Sequence, residues 1–150
     1  MSLAVPHLPS LFRGRGEYAI DDKGRLTLPP QMRKVLVDGG NLAVLDDRVV
    51  IWTEATYRAA VDHLHALVQD QLLDQSRVRG FLSNTHQVSP DTQGRIVVPT
   101  SVRLEAGLDR DVIVLGSGPR IEIVPAGTDA LEAAYGVDDS IVDALDRANF

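Results

Sequence analysis

Two short segments of the chain carry the same arrangement of chemistry-bearing residues, Asp21-Asp22-Lys23-Gly24-Arg25 and Asp91-Thr92-Gln93-Gly94-Arg95. An aspartate four residues before an arginine, with glycine between them, describes a tight turn. Asp21 and Asp91 bond the local backbone, and Gly24 and Gly94 supply the positive φ. Arg25 and Arg95 leave the turn carrying a planar, permanently charged fork of donors, which matches the O6 and N7 acceptors of guanine. Lys23 at the apex suits a phosphate or a second guanine acceptor; Gln93 stands there in the other segment. The competing reading is that each arginine only pairs with its own aspartate, a common and weak surface interaction. The two readings are compatible, because a carboxylate can orient a guanidinium before nucleic acid arrives.

The remaining candidates are weaker. Arg13 and Arg15 precede the first expected strand and suit either phosphate contacts, which position without reading sequence, or a solvated arm. Arg33 and Arg103 recur in the expected short helices and suit structural cover. His63 and His65 are two apart on a helix and face different ways, so they lack the i, i+4 spacing of a zinc pair. Gly116-Ser117-Gly118 falls in an expected hairpin, not between a strand and a helix, and so lacks the context for a dinucleotide. Neither a nucleophile elbow nor a P-loop is present. The sequence therefore points away from catalysis, and to neither metal nor cofactor.

The elements that position the two turns repeat with them. Residue n matches residue n+70 not only through the turns but through Pro29/Pro99, Arg33/Arg103, Val44/Val114, Leu45/Leu115 and Ile51/Ile121. One gap-free offset over a motif and a later strand marks two homologous halves, 12–55 and 82–125. Each half reads as a short strand (Glu17–Ile20; His86–Val88), the turn, and an alternating strand with Leu26 and Leu28, or Ile96 and Val98, on one face. Pro29 and Pro99 stop the ladder, and a short helix follows at about 30–37 or 100–106, ending near Gly39 or Gly107. A hairpin closes each half: Leu42–Leu45 with Val49–Trp52 around Asp46-Asp47-Arg48, and Val112–Leu115 with Arg120–Val124 around 116–119. One such unit cannot bury its apolar face alone, whereas two can bury theirs against each other.

Between the halves, residues 56–81 read as a helical insert, with Tyr57, Ala60, Val61, Leu64, Leu67 and Val68 at helical spacing and a second helix over about 74–83. Residues 1–11 read as a flexible extension without the basic start of a secretory signal. Residues 126–150 read as a short helix at 128–135 followed by a partly ordered acidic tail.

The net charge of −6 argues at first against nucleic acid, but residues 128–150 hold six carboxylates against Arg147 alone. The remainder is near neutral, with Arg13, Arg15, Lys23 and Arg25 grouped. The tail suits a basic protein partner or simple solubility. The chain has no cysteine, so disulfides and thiolate sites are excluded. No apolar run approaches the roughly 20 residues of a membrane span.

Phe12-Arg13-Gly14, the Asp-x-x-Gly-Arg turn with its apolar strand and proline, and the copy of that unit beyond a helical insert resemble the MraZ family, within the AbrB-like swapped-hairpin superfamily. The resemblance covers about Phe12 to Tyr135. It implies a mainly β fold with a helical insert (α+β), its two swapped-hairpin halves forming one barrel about a pseudo-two-fold axis. It also implies a cytoplasmic, nucleoid-associated transcriptional regulator of the division and cell-wall gene cluster. Such a protein would act as a ring-shaped homo-oligomer on tandem short repeats in double-stranded promoter DNA. Carried over by position, the DNA contacts are Lys23, Arg25 and Arg95, with Gln93 in place of a second lysine. The superfamily also holds antitoxins, which implies the alternative of an interaction module neutralising a basic partner.

Overall fold

The computed structural model describes residues 11–127 and 139–150. Eight strands and five helices are described: β1 (Arg15–Ala19), β2 (Arg25–Thr27), α1 (Pro30–Val35), β3 (Gly40–Leu45), β4 (Arg48–Thr53), α2 (Glu54–Gln69), α3 (Gln75–Ser83), β5 (His86–Val88), β6 (Arg95–Val97), α4 (Thr100–Glu105), β7 (Asp111–Gly116), β8 (Arg120–Pro125) and α5 (Asp139–Arg147). The fold is mostly β. Its main sheet is antiparallel and open, in the order β1-β7-β8-β4-β3-β5, and β2 and β6 form a separate two-stranded ribbon.

The two halves interleave strand by strand. β1 pairs with β7, β4 with β8, β3 with β5 and β2 with β6, each pairing joining one half to the other. If each strand is exchanged for its counterpart 70 residues away, the order of the main sheet becomes its own reverse. The apolar residues that alternate along β2 and β6 enter one core from both halves. Leu26, Leu28, Leu42 and Ile51 meet Ile96, Val98, Val112 and Ile121, all fully or almost fully buried. Each such side chain contributes roughly 1.5–3 kcal/mol relative to exposure, and neither half contains the whole set.

A second cluster lies on the other face of β3 and β4. Trp52, Tyr57 and Phe81 place their ring centroids 5.6 Å from one another, Trp52 and Phe81 edge to face. This packing fastens α2 and α3 to the sheet. Thr53 caps α2 by accepting the Thr56 N–H at 3.1 Å, so the helix starts at Glu54, ahead of the first periodic apolar residue, Tyr57.

Two expectations change. The first hairpin turns on two residues, not three: Asp46 and Asp47 have φ of 51° and 63°. That is the mirror-image turn whose twist suits a hairpin, and it frees Arg48 to pair with Leu45. The end of the chain is helical at Asp139–Arg147, beyond what acidity alone suggested. The expected helix at 128–135 lies outside the described residues, as does all but Leu11 of the expected N-terminal extension.

The paired turns and their ribbon

The local chemistry of each turn is set by its aspartate. Asp21 Oδ1 accepts the backbone N–H of Lys23 at 2.9 Å and of Arg25 at 2.8 Å, while Oδ2 accepts Arg25 Nε at 2.6 Å. Asp91 does the same for Gln93, Arg95 and Arg95 Nε, all at 2.9 Å. Gly24 and Gly94, at φ of 78° and 76°, complete the turns by donating to the carbonyls of Asp21 and Asp91. Both carboxyls sit below the ordinary carboxylate range. The arginine backbone N–H is the largest cause, opposed by desolvation and reinforced by the arginine side chain.

The ion pairs proposed as the alternative role for the arginines are therefore present, and they leave chemistry in hand. Each carboxylate takes Nε and leaves the two terminal amino groups of the guanidinium, the end-on fork that a guanine edge requires.

The register of the ribbon brings these forks together. Arg25 lies opposite Val97, Leu26 opposite Ile96 and Thr27 opposite Arg95. Leu26 and Ile96 point into the core, so Arg25, Thr27, Arg95 and Val97 share the outer face. The two arginines are diagonal neighbours, with Cα atoms about 7–8 Å apart. Val97 is 56% exposed. Because the strands are antiparallel, the turns project from opposite ends of the ribbon, Lys23 at one apex and Gln93 at the other.

Each turn is braced by the opposite half. Arg33 of α1 donates to the Gln93 carbonyl at 3.2 Å and lies against Gly94 so closely that a Cβ there would overlap its guanidinium. Arg103 of α4 donates to the Val98 carbonyl at 3.1 Å, and a Cβ on Gly24 would lie 3.2 Å from its Nη2. Leu28 donates to Gly94 at 3.0 Å and Val98 to Gly24 at 2.8 Å. Arg33 and Lys34 also line the depression beside Gln93, so the turn without its own lysine has cations from the other half beside it.

Arg13 and Arg15 are not brought to the turns. Arg15 pairs with Leu115 at the far end of β1, and Phe12 exchanges two backbone bonds with Gly118 in the β7–β8 loop. Arg15 and Asp21 are six residues apart along extended chain, up to about 20 Å. Both arginines are exposed. Among the described residues no group of three histidines and carboxylates is placed to hold a metal ion, and no helix is long and apolar enough to cross a membrane.

Thr27 and Val97 were not candidates from the sequence. Alternation gave their outward direction, but only the β2–β6 register gives the company they keep. Glu122 was missed as well. It is 2% exposed on the sheet and pairs with Arg48 at 2.9 Å and Arg120 at 3.5 Å. The repeat has Trp52 at the equivalent position.

Comparison with known proteins finds relatives over most of the chain. A family model described as "MraZ protein, putative antitoxin-like" matches residues 11–75 and 81–128. A protein named transcriptional regulator MraZ from Clavibacter michiganensis subsp. michiganensis is 38% identical over 121 residues, covering 79% of this chain and 83% of its own. One of the same name from Kineococcus radiotolerans is 36% identical over 116 residues, covering 75% and 80%. Another, from Kocuria rhizophila, is 34% identical over 114 residues with the same coverage.

Proposed function

The chain belongs to the MraZ family, and from that premise we propose that it is a transcriptional regulator that binds double-stranded promoter DNA through the outer face of the β2/β6 ribbon. One observation carries the reading. Two arginines from homologous turns share that face, each held through Nε by its own aspartate with its terminal amino groups left over. A two-stranded ribbon is narrow enough to enter the major groove. There Arg25 and Arg95 donate to guanine O6 and N7, and Val97 supplies apolar contact for a thymine methyl. Lys23 at one apex, with Arg33 and Lys34 near the other, meets phosphates; Arg13 and Arg15 reach only more distant backbone.

In this reading residues 12–55 and 82–125 are swapped-hairpin halves of one barrel about a pseudo-two-fold axis, and 56–81 is an insert. The interleaved pairing and the self-reversing strand order support it. The protein acts in the cytoplasm on the nucleoid, at the promoter of its own division and cell-wall gene cluster. It works as a closed ring of identical chains on tandem short direct repeats, because head-to-tail subunits present their ribbons in one sense around a rim. Spacing of about 10–10.5 base pairs keeps each box facing the protein. The test is a gel shift with boxes separated by the natural spacing or by five extra base pairs. Binding falls steeply with the half-turn insertion; equal binding to both, or preference for an inverted repeat, contradicts the ring.

A further inference from the structure

The last helix of the chain has an apolar face that is exposed to solvent. Ile141, Val142 and Leu145 of α5 are 52%, 47% and 47% exposed. They fall on one side of the helix, with Ala148 a turn beyond. The helix is properly terminated: Asn149 adopts φ of 60°, and Phe150 donates back to the Leu145 carbonyl at 2.9 Å. This closing turn satisfies one of the last carbonyls. Asp139 and Asp146 lie one turn to either side of Val142 along the helix.

A matching receptor lies on the body. A groove of about 360 Å³ between α2, α3 and the sheet is floored by Leu45, Trp52, Leu64, Leu73 and Phe81. His63, Arg77 and Arg120 also line it, and among the described residues no carboxylate does. Apolar floor and basic rim complement the apolar stripe and acidic flank of α5.

We propose that α5 of one copy seats in this groove on the next copy, with Val142 and Leu145 on the floor and Asp146 toward Arg77. Within one chain Val142 and Leu145 stay about half exposed. A second copy satisfies both, and each copy then offers one donor and one receptor. Run head to tail, such a contact is heterologous and closes as a ring; exchanged reciprocally between two copies, it stops at a dimer. The inference deepens the assembly part of the reading above and is independent of DNA contact.

The experiment is native mass spectrometry of the full chain and four variants, with circular dichroism to confirm folding. The unaltered chain assembles, whereas Leu145→Asp and Arg77→Glu lose at least tenfold of the assembled fraction. The two defects combine as donor and receptor. A mixture of Leu145→Asp with Arg77→Glu yields two-chain species joined by the one intact contact. Asp146→Arg is defective alone, and Asp146→Arg with Arg77→Glu in one chain regains the assembly. Rings that persist in Leu145→Asp overturn the inference and leave the ring reading standing. Defective variants that neither pair on mixing nor recover on charge exchange overturn it too, and point to docking within one chain or on a basic protein. A full chain that is monomeric at every concentration removes both the inference and the ring.

Discussion

Asp21 and Arg25 are joined at two levels, the carboxylate taking the backbone N–H at 2.8 Å and the side-chain Nε at 2.6 Å. One carboxylate therefore builds the turn through Oδ1 and aims the guanidinium that leaves it through Oδ2. Asp91 and Arg95 repeat the arrangement, and the ribbon register sets both products on one face. A guanidinium already fixed in direction has less freedom to lose on binding.

That relationship separates the arginines from ordinary surface cations. Arg25→Ala and Arg95→Ala each cost about 1–3 kcal/mol of discrimination between specific and scrambled DNA, and more where several copies engage one site. Arg25→Lys does not restore it, since lysine has no Nε for Asp21 and no fork for guanine. Lys23→Ala weakens all sequences alike and lowers the slope of log affinity against log salt by about one. Fluorescence anisotropy over a salt series separates the two patterns. A uniform loss in the arginine variants would make them phosphate contacts.

The aspartates carry a pH signature. Both carboxyls lie below the ordinary range, chiefly through the arginine backbone N–H. A carboxyl lowered on folding adds stability that is complete above its unfolded value, about 3.9. That contribution disappears as pH falls through the folded value. Carbon-detected NMR titration should place the midpoints of Asp21 and Asp91 below about 3.9, with turn geometry and DNA affinity flat from neutrality to about pH 5. A midpoint at or above the ordinary value means that the clamps do not persist in solution.

The glycines test the bracing between halves. Gly24→Ala and Gly94→Ala each place a side chain at positive φ, at a cost of roughly 1–2 kcal/mol. Gly94→Ala also drives the new Cβ into Arg33, which must give up the Gln93 carbonyl. Adding Arg33→Ala therefore relieves part of the Gly94→Ala loss and none of the Gly24→Ala loss. Urea midpoints of these four variants and of Arg33→Ala alone decide it; additive losses in both pairs would show that Arg33 does not press on Gly94.

The buried carboxylate of Glu122 tests the sheet. Arg48→Ala withdraws the cation at 2.9 Å and leaves a charge that is almost wholly out of water. Breaking a buried pair in this way costs about 3–5 kcal/mol. Arg120 at 3.5 Å and the partial exposure of Arg48 argue for the lower figure, about 3. Replacing Glu122 and Arg48 together by Met recovers much of the loss. A loss under about 1 kcal/mol for Arg48→Ala would mean that the carboxylate is reached by water and the pair behaves as a surface one.

The sequence revealed the parts of this molecule whose cause is local. Asp21 and Gly24 demand a turn wherever they stand in that order, Leu26 and Leu28 demand one buried face, and the 70-residue offset reports two equivalent halves. Partners are a different matter. Nothing in Glu17 or Tyr18 tells β1 to leave its own half for β7, because alternation fixes which face is apolar and not which strand lies beside it. Thr27 and Val97 belong to the candidate site only through that cross-half register, as do Arg33 and Lys34 beside Gln93. Nothing in the sequence marks Glu122 as buried, since a buried charge shows itself only through cations that arrive from elsewhere in the chain. Acidity hid α5, although Ile141, Val142 and Leu145 already had helical spacing.

The most direct test is footprinting of the full-length protein on DNA upstream of its own gene, beside the Arg25→Ala/Arg95→Ala double variant. The unaltered protein is expected to protect two or more short direct repeats, in phase at about 10–10.5 base pairs, and the folded, assembled double variant to protect none of them. No protection by the unaltered protein, or equal protection by the double variant, would contradict the claim that the β2/β6 ribbon reads DNA.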